Sequence, residues 1–462
     1  MSRVASGSTG LDTVLAGGLT PNSINLICGH PGSGKTILAQ QYVFENAPGG
    51  TVVYLSTVSE PYEKILRYGQ TLEFFDAAQV GSTVFYEDLG EALVRDGLDG
   101  VLAALDTLLK QRRPRLIIID SFKAIGAFAD SDSDYRRFLH DLAGKLSAVA
   151  VTAIWIGEYD AEDAARYPEF AVADGVIYLS TRRTVERETR LLSVLKQRGS
   201  GFASGEHAYR ITARGLKVFP RLADVYDASN YLLDTERAST GIPALDEALS
   251  DGYWPGSATL IAGASGIGKT LMGLHFLFAG ADAGEKGVLA TLQENPVQLK
   301  RIVGGFGWSL NSGGVEIMNR SPVDMHLDEW VYELLDAVER TRAKRVVIDS
   351  LGDLVMAATD QLRFREYMYS LLQRFSRGGV ACLMALELPE LFRTTRIGEY
   401  GMSHLSDNVV LLQHVVDGGE LKRGLAVLKT RASDHDARIR EFRITQDGIV
   451  LGEPFSEQTF VS

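Results

Sequence analysis

The chain has 462 residues, which is too long for one ordinary domain, and its 45% hydrophobic and 23% charged residues are typical of a globular protein. A net charge of −12 argues against a protein that coats nucleic acid, because neutralising phosphates requires clustered Lys and Arg. The sequence contains no signal-peptide core and no apolar run of about 18 residues, so we expect neither export by a standard signal nor a membrane span.

The two cysteines, Cys28 and Cys382, lie in the apolar runs INLICGH and GVACLMAL. Apolar surroundings favour buried free thiols over a disulfide or a metal site. Free thiols fit a reducing compartment, so we expect a cytoplasmic protein.

The sequence contains an internal repeat, which decides how the rest is interpreted. The segment over 8–36, STGLDTVLAGGLTPNSINLICGHPGSGKT, matches the segment over 239–270, STGIPALDEALSDGYWPGSATLIAGASGIGKT. Later landmarks, RLIIIDS with RVVIDS and VLKQR with VLKTR, keep nearly the same spacing. We therefore predict a tandem duplication, with a first domain over residues 1–225 and a second over residues 226–462.

Within each half, short apolar β-branched runs alternate with helical patterns such as YRRFLHDLAGKL and EWVYELLDAVERTR. Strands that alternate with helices predict βαβ crossovers, which produce a parallel sheet covered on both faces. Each half is therefore predicted to be an α/β domain with a mostly parallel sheet flanked by helices.

Two glycine-rich segments, GHPGSGKT and GASGIGKT, fit the phosphate-binding pattern G-x-x-x-x-G-K-[ST]. Each follows an apolar strand and opens a helix, whereas a chance glycine-rich turn is the alternative. In such loops backbone N–H groups cradle phosphates, the Lys reaches the outer phosphates, and the Thr holds Mg²⁺. The predicted nucleotide-binding residues are Gly29, Gly32, Ser33, Gly34, Lys35 and Thr36 in the first half and Gly263, Gly266, Ile267, Gly268, Lys269 and Thr270 in the second.

An aspartate ends the apolar run LIIID in the first half and RVVID in the second, at Asp120 and Asp349. The carboxyl edge of a parallel sheet brings such an acid beside the phosphate loop, where it supports Mg²⁺ directly or through water. With Thr36 and Thr270 these are the predicted metal residues. The alternative is that each aspartate caps the helix that follows it.

Together these motifs resemble the tandem RecA-like ATPases of the KaiC type. The likeness runs from Ser8 to about Gly452 and includes STGLD, both phosphate loops, IIIDS, SDNVVLLQ and the closing VLKTRASDHDARIREFRIT. It implies two tandem RecA-like P-loop domains, ATP and Mg²⁺ as cofactors, and a homo-oligomer, a hexameric ring with ATP between neighbouring subunits. It names no protein partner for this chain.

In the family, two adjacent glutamates follow the second strand of each half, and one of them polarises the attacking water. The matching residues here are Ser59–Glu60 and Gln293–Glu294, so each half keeps one carboxylate and loses the other. A Gln can orient water but cannot accept its proton. The resemblance therefore implies slow hydrolysis with Glu60 and Glu294 as catalytic bases, whereas the alternative is that both cap the following helices.

The pairs Lys196 with Arg198 and Lys429 with Arg431 match the family's K-x-R motif, which reaches the γ-phosphate bound to a neighbouring subunit. A cationic pair supplied in this way stabilises the charge that develops on the transferred group. The alternative is a solvated pair at the end of a strand.

Family members that keep time phosphorylate an adjacent Ser–Thr pair in the second half, and Ser403 and His404 occupy those positions here. The resemblance thus leaves Ser403 as a single site for serine autophosphorylation. The alternative is a loop serine that satisfies backbone groups.

Three functions are compatible with these residues. The leading one is an ATP-hydrolysing KaiC-like ATPase of the signalling or clock type. The second is a nucleotide-gated scaffold with little turnover, which the missing glutamates favour. The third, a RecA-like ATPase acting on nucleic acid, is disfavoured because SFKAIGAFADSDSDYRR carries three aspartates and the basic TRRTVERETR alternates with glutamates.

Overall fold

The computed structural model describes residues 3–58, 62–184, 187–223, 236–310, 314–323, 325–358, 360–388, 402–431 and 433–455. The chain forms two compact units, Met1–Arg221 and Leu222–Ser462. The predicted division between residues 225 and 226 falls in 224–235, outside the described residues, and it stays a prediction.

The described part of the first unit contains a nine-stranded sheet in the order β3-β2-β4-β5-β1-β6-β7-β8-β9. Its strands are β1 (Ile24–Gly29), β2 (Val52–Ser56), β3 (Val84–Asp88), β4 (Leu116–Asp120), β5 (Thr152–Gly157), β6 (Gly175–Thr184), β7 (Arg187–Gln197), β8 (His207–Thr212) and β9 (Gly215–Phe219). Its α-helices are α1 (Thr9–Val14), α2 (Lys35–Asn46), α3 (Tyr62–Gly69), α4 (Gly90–Arg112), α5 (Phe122–Ile125), α6 (Asp132–Ala148) and α7 (Glu169–Val172). The strands from β3 to β6 are parallel, and β6 to β9 form an antiparallel extension.

The described part of the second unit repeats this order as β12-β11-β13-β14-β10-β15-β16-β17-β18. Its strands are β10 (Ala258–Gly263), β11 (Gly287–Thr291), β12 (Val315–Asn319), β13 (Arg345–Asp349), β14 (Ala381–Glu387), β15 (Asn408–Asp417), β16 (Glu420–Lys429), β17 (Arg440–Thr445) and β18 (Gly448–Pro454). Its α-helices are α8 (Pro243–Ala248), α9 (Lys269–Asp282), α10 (Pro296–Gly305), α11 (Leu327–Thr341), α12 (Leu351–Ala357), α13 (Gln361–Gly378) and α14 (Met402–Leu405). The predicted fold class, two tandem α/β domains with mostly parallel sheets flanked by helices, is confirmed.

The central strands are mostly apolar because helices cover both faces of each sheet. Successive side chains of β1 alternate between faces, so Ile27 packs with residues of α2, whereas Leu26 and Cys28 pack with residues of α4 and α6. Cys28 and Cys382 are buried free thiols, and burial raises the pKa of Cys28 to about 12. Among the described residues, no helix is long and apolar enough to cross a membrane.

The parallel register gathers the carboxyl ends of β1, β4 and β5 at one edge of the first sheet. Asp120 at the end of β4 lies beside Ile156 of β5, and Cys28 of β1 lies beside Gly157 of β5. The antiparallel strand β7 runs the other way, so Lys196 lies beside Val176 near the start of β6. An edge here means the row of strand ends on one side of the sheet, and the two edges therefore carry different sets of polar residues.

Candidate nucleotide-binding sites

The first phosphate loop connects β1 to α2, and its last glycine fits a tight space. Gly34 precedes α2 with φ of 90°, a left-handed conformation that favours glycine. A Cβ atom built at Gly34 would lie 2.8 Å from Cδ1 of Ile211. The left-handed turn into the helix therefore favours glycine at this position.

The two loop lysines make the same hydrogen bonds in the two units. Lys35 Nζ donates to the carbonyl oxygens of Gly29 at 3.0 Å and His30 at 2.8 Å. Lys269 Nζ donates to the carbonyl oxygens of its own loop at the same two distances. Burial lowers the pKa of both lysines because it disfavours the charged form. A bound phosphate would supply the negative charge that these buried ammonium groups need.

The strand-end aspartates accept hydrogen bonds from the loop threonines. Thr36 Oγ1 lies 3.0 Å from Asp120 Oδ2, and Thr270 Oγ1 lies 2.6 Å from Asp349 Oδ2. A hydroxyl and a carboxylate suit Mg²⁺, which prefers oxygen ligands and completes its shell with water and phosphate. The described residues contain no cluster of three acidic, His or Cys side chains that would form a protein-only metal site. The residues therefore fit an Mg²⁺ ion that arrives with a nucleotide.

One difference between the environments of the two aspartates is a tyrosine hydroxyl group, which the sequence patterns did not reveal. Tyr54 of β2 donates its OH to Asp120 Oδ2 at 2.6 Å. The strand register aligns Tyr54 with Leu289, because they lie beside the equivalent residues Ile118 and Val347. The carboxylate in the first unit is thus held by two hydroxyls, whereas Leu289 offers none to Asp349.

A cleft of about 770 Å³ opens beside the first phosphate loop. Ligand pockets of roughly 300–1,000 Å³ are usual for small molecules, so this cleft accommodates a nucleotide. The polar and loop residues that line it are Pro31, Gly32, Gly34, Lys35, Thr36, Asp120, Ser121, Lys123 and Glu158. Lys123 and Glu158 were not predicted from the sequence.

The segment TLQENP, residues 291–296, begins at the last residue of β11, which pairs with Asp349. Burial and, to a lesser extent, the charge of Asp349 raise the pKa of Glu294, whose side chain is half-buried. Gln293 Nε2 lies 3.4 Å from Ser350 Oγ, and the Ser350 hydroxyl donates to Asp353 Oδ2 at 2.6 Å. Gln293 thus stands where it can orient water but cannot take a proton.

The strand register shifts the match between the two glutamate segments by one residue. Ser56 lies beside Asp120, and Thr291 lies beside Asp349. Counted along the chain from these paired residues, Glu294 corresponds to Ser59, and Glu60 corresponds to Asn295, which caps α10. Ser59 and Glu60 themselves lie outside the described residues, so the catalytic role of Glu60 stays a prediction.

The K-x-R lysines are held by short helices at the opposite edge of each sheet from the phosphate loop. Lys196 Nζ donates to the carbonyl oxygens of Phe170, Ala171 and Ala173 in and after α7. Lys429 Nζ donates to those of Ser403 and Ser406 in and after α14. Burial, and next the charge of the nearby Arg, lowers the pKa of both lysines.

The K-x-R arginines are also oriented alike in the two units. Arg198 lies 3.4 Å from Asp174, and Arg431 lies 3.5 Å from Asp407. Both arginines remain more than half exposed. Their guanidinium groups are therefore accessible to an anionic ligand.

Ser403 lies on α14, at the same edge as Lys429 and Arg431. Its carbonyl oxygen accepts from Lys429 at 3.0 Å, and its side chain is half-buried. Ser406 is buried and donates its hydroxyl to the Met402 carbonyl at 2.9 Å. Of these two serines, Ser403 is thus the more accessible.

Comparison with known proteins identifies the repeat. A family model described as the KaiC ATPase matches residues 4–223 and again residues 238–456. The chain belongs to the KaiC ATPase family. It is therefore a P-loop ATPase with two RecA-like domains, and the predicted family resemblance is confirmed.

Several proteins of this family are similar to the chain over nearly its whole length. Circadian clock protein KaiC3 of Synechocystis sp. is 29% identical, and the match covers 99% of this chain and 93% of that protein. Circadian clock oscillator protein KaiC of Rippkaea orientalis and KaiC 1 of Synechocystis sp. are each 27% identical over 96% of this chain and 88% of their own lengths. The whole tandem arrangement is therefore shared with these KaiC proteins.

The matched lysines give a direct test of two nucleotide sites in one chain. We expect Lys35→Ala and Lys269→Ala each to weaken nucleotide binding in their own unit by about ten- to a hundred-fold, since a charge-assisted hydrogen bond contributes about 1.5–3 kcal/mol. Calorimetric titration with a non-hydrolysable ATP analogue should then show one tight site per chain in each variant and two in the parent. Lys217→Ala, which removes an exposed charge outside the cleft, is the control. Two tight sites in Lys35→Ala would contradict the assignment.

Proposed function

We propose that this KaiC-family ATPase binds Mg·ATP at both phosphate loops, assembles through that nucleotide into a hexameric ring, and hydrolyses it slowly. The observation that carries this proposal is the separation, within each unit, of the phosphate loop from the K-x-R pair. They lie at opposite edges of the same sheet, at the two ends of β1 or β10.

The separation favours a nucleotide shared between chains. Strand β1 has six residues, so its ends lie roughly 16 Å apart at about 3.3 Å per residue. Neither Lys196 nor Arg198 can reach a phosphate held by its own loop over this distance. A loop on one chain and a K-x-R pair on the next form a head-to-tail interface, and such an interface forms a ring when the rotation between neighbouring chains closes.

Slow hydrolysis follows from the residues around the attacking water. Gln293 replaces a carboxylate in the second unit. Counting from the strand register, Val58 and Ser59 are the first-unit residues that correspond to Gln293 and Glu294, and neither is a carboxylate. A general base contributes about 10²–10⁴ in rate, so losing one slows the chemistry without abolishing nucleotide binding. Glu294, with its raised pKa, remains as the proposed base in the second unit.

A scaffold with little turnover is the second candidate function, and the same substitutions favour it. ATP that binds the assembled state would stabilise the ring by mass action even without hydrolysis. A signalling role is supported by the similarity to proteins named as circadian clock proteins.

Action on nucleic acid is disfavoured by the pairing of the basic cluster on β6 and β7. Arg182 contacts Glu206 at 2.6 Å, and Arg183 contacts Glu188 at 3.3 Å. Arginines already neutralised by carboxylates release few counterions from phosphate. The buried free thiols support a cytoplasmic location.

Mixing two inactive chains tests whether the nucleotide is shared. Both chains carry Glu294→Gln, which slows turnover in the second unit and leaves its phosphate loop able to bind ATP and support assembly; one adds Lys35→Ala and the other adds Arg198→Ala. Each chain alone should release little ADP, whereas a random mixture should recover about a quarter of the Glu294→Gln rate, because some interfaces join an intact loop to an intact arginine. The same mixture with Arg214→Ala, an exposed arginine elsewhere, in place of Arg198→Ala is the control. No recovery on mixing, with full activity of the Arg198→Ala chain alone, would refute the shared site.

We also propose Ser403 as a single autophosphorylation site, because it lies beside Lys429 and Arg431 and would face the same neighbouring γ-phosphate. Intact-mass spectra after incubation with Mg·ATP should show one added phosphate that disappears in Ser403→Ala and persists in Ser406→Ala. An unmodified parent chain that still releases ADP would exclude the kinase activity and leave the ATPase.

A further inference from the structure

A carboxylate that the sequence patterns did not single out occupies the same place in both units. The strand β5 lies between β4, which ends at Asp120, and β1, which leads into the phosphate loop. Glu158 is the first residue after β5, and its counterpart Glu387 ends β14 directly beside Gly263, the first glycine of the second phosphate loop. The fold therefore inserts a glutamate between the strand-end aspartate and the phosphate loop in each unit.

The first-unit glutamate lines the nucleotide cleft together with the residues that would hold phosphate and metal. Glu158, Lys35, Thr36 and Asp120 all line the same cleft. Burial lowers the pKa of Lys35, and the charge of Glu158 is the strongest influence that opposes this shift. In the second unit Glu387 has the same opposing influence on Lys269.

Neither carboxylate is committed to a structural role within the described residues. Glu158 and Glu387 are both exposed, and no ion pair with a Lys or Arg within 4.0 Å is found for either among those residues. The contact made by Glu158 is through its backbone carbonyl, which accepts from Lys123 Nζ at 2.5 Å. Its carboxylate therefore remains available to a ligand or to water in the cleft.

The first unit needs such a group more than the second does. In the second unit Glu294 lies close enough to Asp349 for their charges to interact. The corresponding first-unit residue, counted from the strand register, is Ser59, which cannot act as a carboxylate base. Apart from Asp120, Glu158 is the carboxylate that lines the described cleft.

We propose that Glu158 is a catalytic residue of the first unit, where it accepts the proton of the attacking water. This inference rests on the proposed function, because it assigns a residue to the hydrolysis reaction. The water oxygen bonds to the γ-phosphorus as the bond from that phosphorus to the β–γ bridging oxygen breaks. The water proton passes to a carboxylate oxygen of Glu158, ADP keeps the bridging oxygen and its electron pair, and inorganic phosphate leaves. Glu158 then releases its proton to solvent.

The test isolates the first unit and separates chemistry from binding. In a chain that carries Lys269→Ala, we compare the parent with Glu158→Gln, Glu158→Asp, Glu60→Gln and, as a matched control, Glu162→Gln, an exposed residue that does not line the cleft. ADP release gives kcat, and titration with a non-hydrolysable ATP analogue gives Kd.

The proposal predicts that Glu158→Gln lowers kcat by about a hundredfold or more, that its Kd changes less than about threefold, and that Glu158→Asp recovers part of the rate. It also predicts a smaller loss in Glu60→Gln than in Glu158→Gln. Glu162→Gln should match the parent.

Three results would overturn the assignment and are distinguishable. If Glu158→Gln releases ADP at the parent rate and only Glu60→Gln is slower, Glu60 is the base of the first unit. The proposed ATPase function then stands. A raised Kd with an unchanged kcat in Glu158→Gln would make Glu158 a binding residue. Absence of ADP release from the chain without any substitution would remove the hydrolysis proposal as well.

Discussion

The direction of the central parallel strands is the constraint on which the rest of the molecule depends. Parallel strands bring all their carboxyl ends to one edge, so the phosphate loop, the strand-end aspartate and the residue after β5 meet there. The antiparallel strand β7 delivers Lys196 and Arg198 to the other edge. Binding groups and charge-stabilising groups are thus divided between two surfaces of one unit, and the proposal of a nucleotide shared between chains rests on that division.

The two units keep this arrangement but differ in residues next to the nucleotide. Tyr54 adds a hydroxyl to the first strand-end aspartate, where the second unit has Leu289. Ser33 of the first loop corresponds to Ile267, which is fully buried in the apolar core of the second unit. Such differences change the support of the loop and the metal residues while the fold stays the same. Unequal turnover in the two units is the expected consequence.

The sequence predicted the parts of the site that depend on short local patterns. The phosphate loops and strand-end aspartates could be found because a glycine-rich turn or a single acid follows an apolar run, and the family resemblance supplied the K-x-R pairs. Glu158 and Glu387 were not predicted, because a single acid after a strand can be placed beside the phosphate loop only when the order of the strands is known. Tyr54 escaped because a tyrosine within an apolar strand has the pattern of a core residue.

Counting from the strand register gives a match between the two glutamate segments that differs by one residue from the match suggested by the sequence alone. Matching Ser59–Glu60 with Gln293–Glu294 relied on similarity of letters, whereas the pairing of Ser56 with Asp120 and of Thr291 with Asp349 fixes the count. The backbone carbonyls that hold Lys196 and Lys429 could not be predicted either, because every residue has a carbonyl and the sequence does not show which ones face a lysine.

The most direct measurement is the particle mass of the purified chain, by native mass spectrometry, with and without Mg²⁺ and a non-hydrolysable ATP analogue. If ATP lies between chains, nucleotide should produce a closed hexamer that dissociates when nucleotide is removed and fails to form in a chain carrying both Lys35→Ala and Lys269→Ala. A monomer that retains two bound nucleotides would contradict the claim that ATP lies between chains.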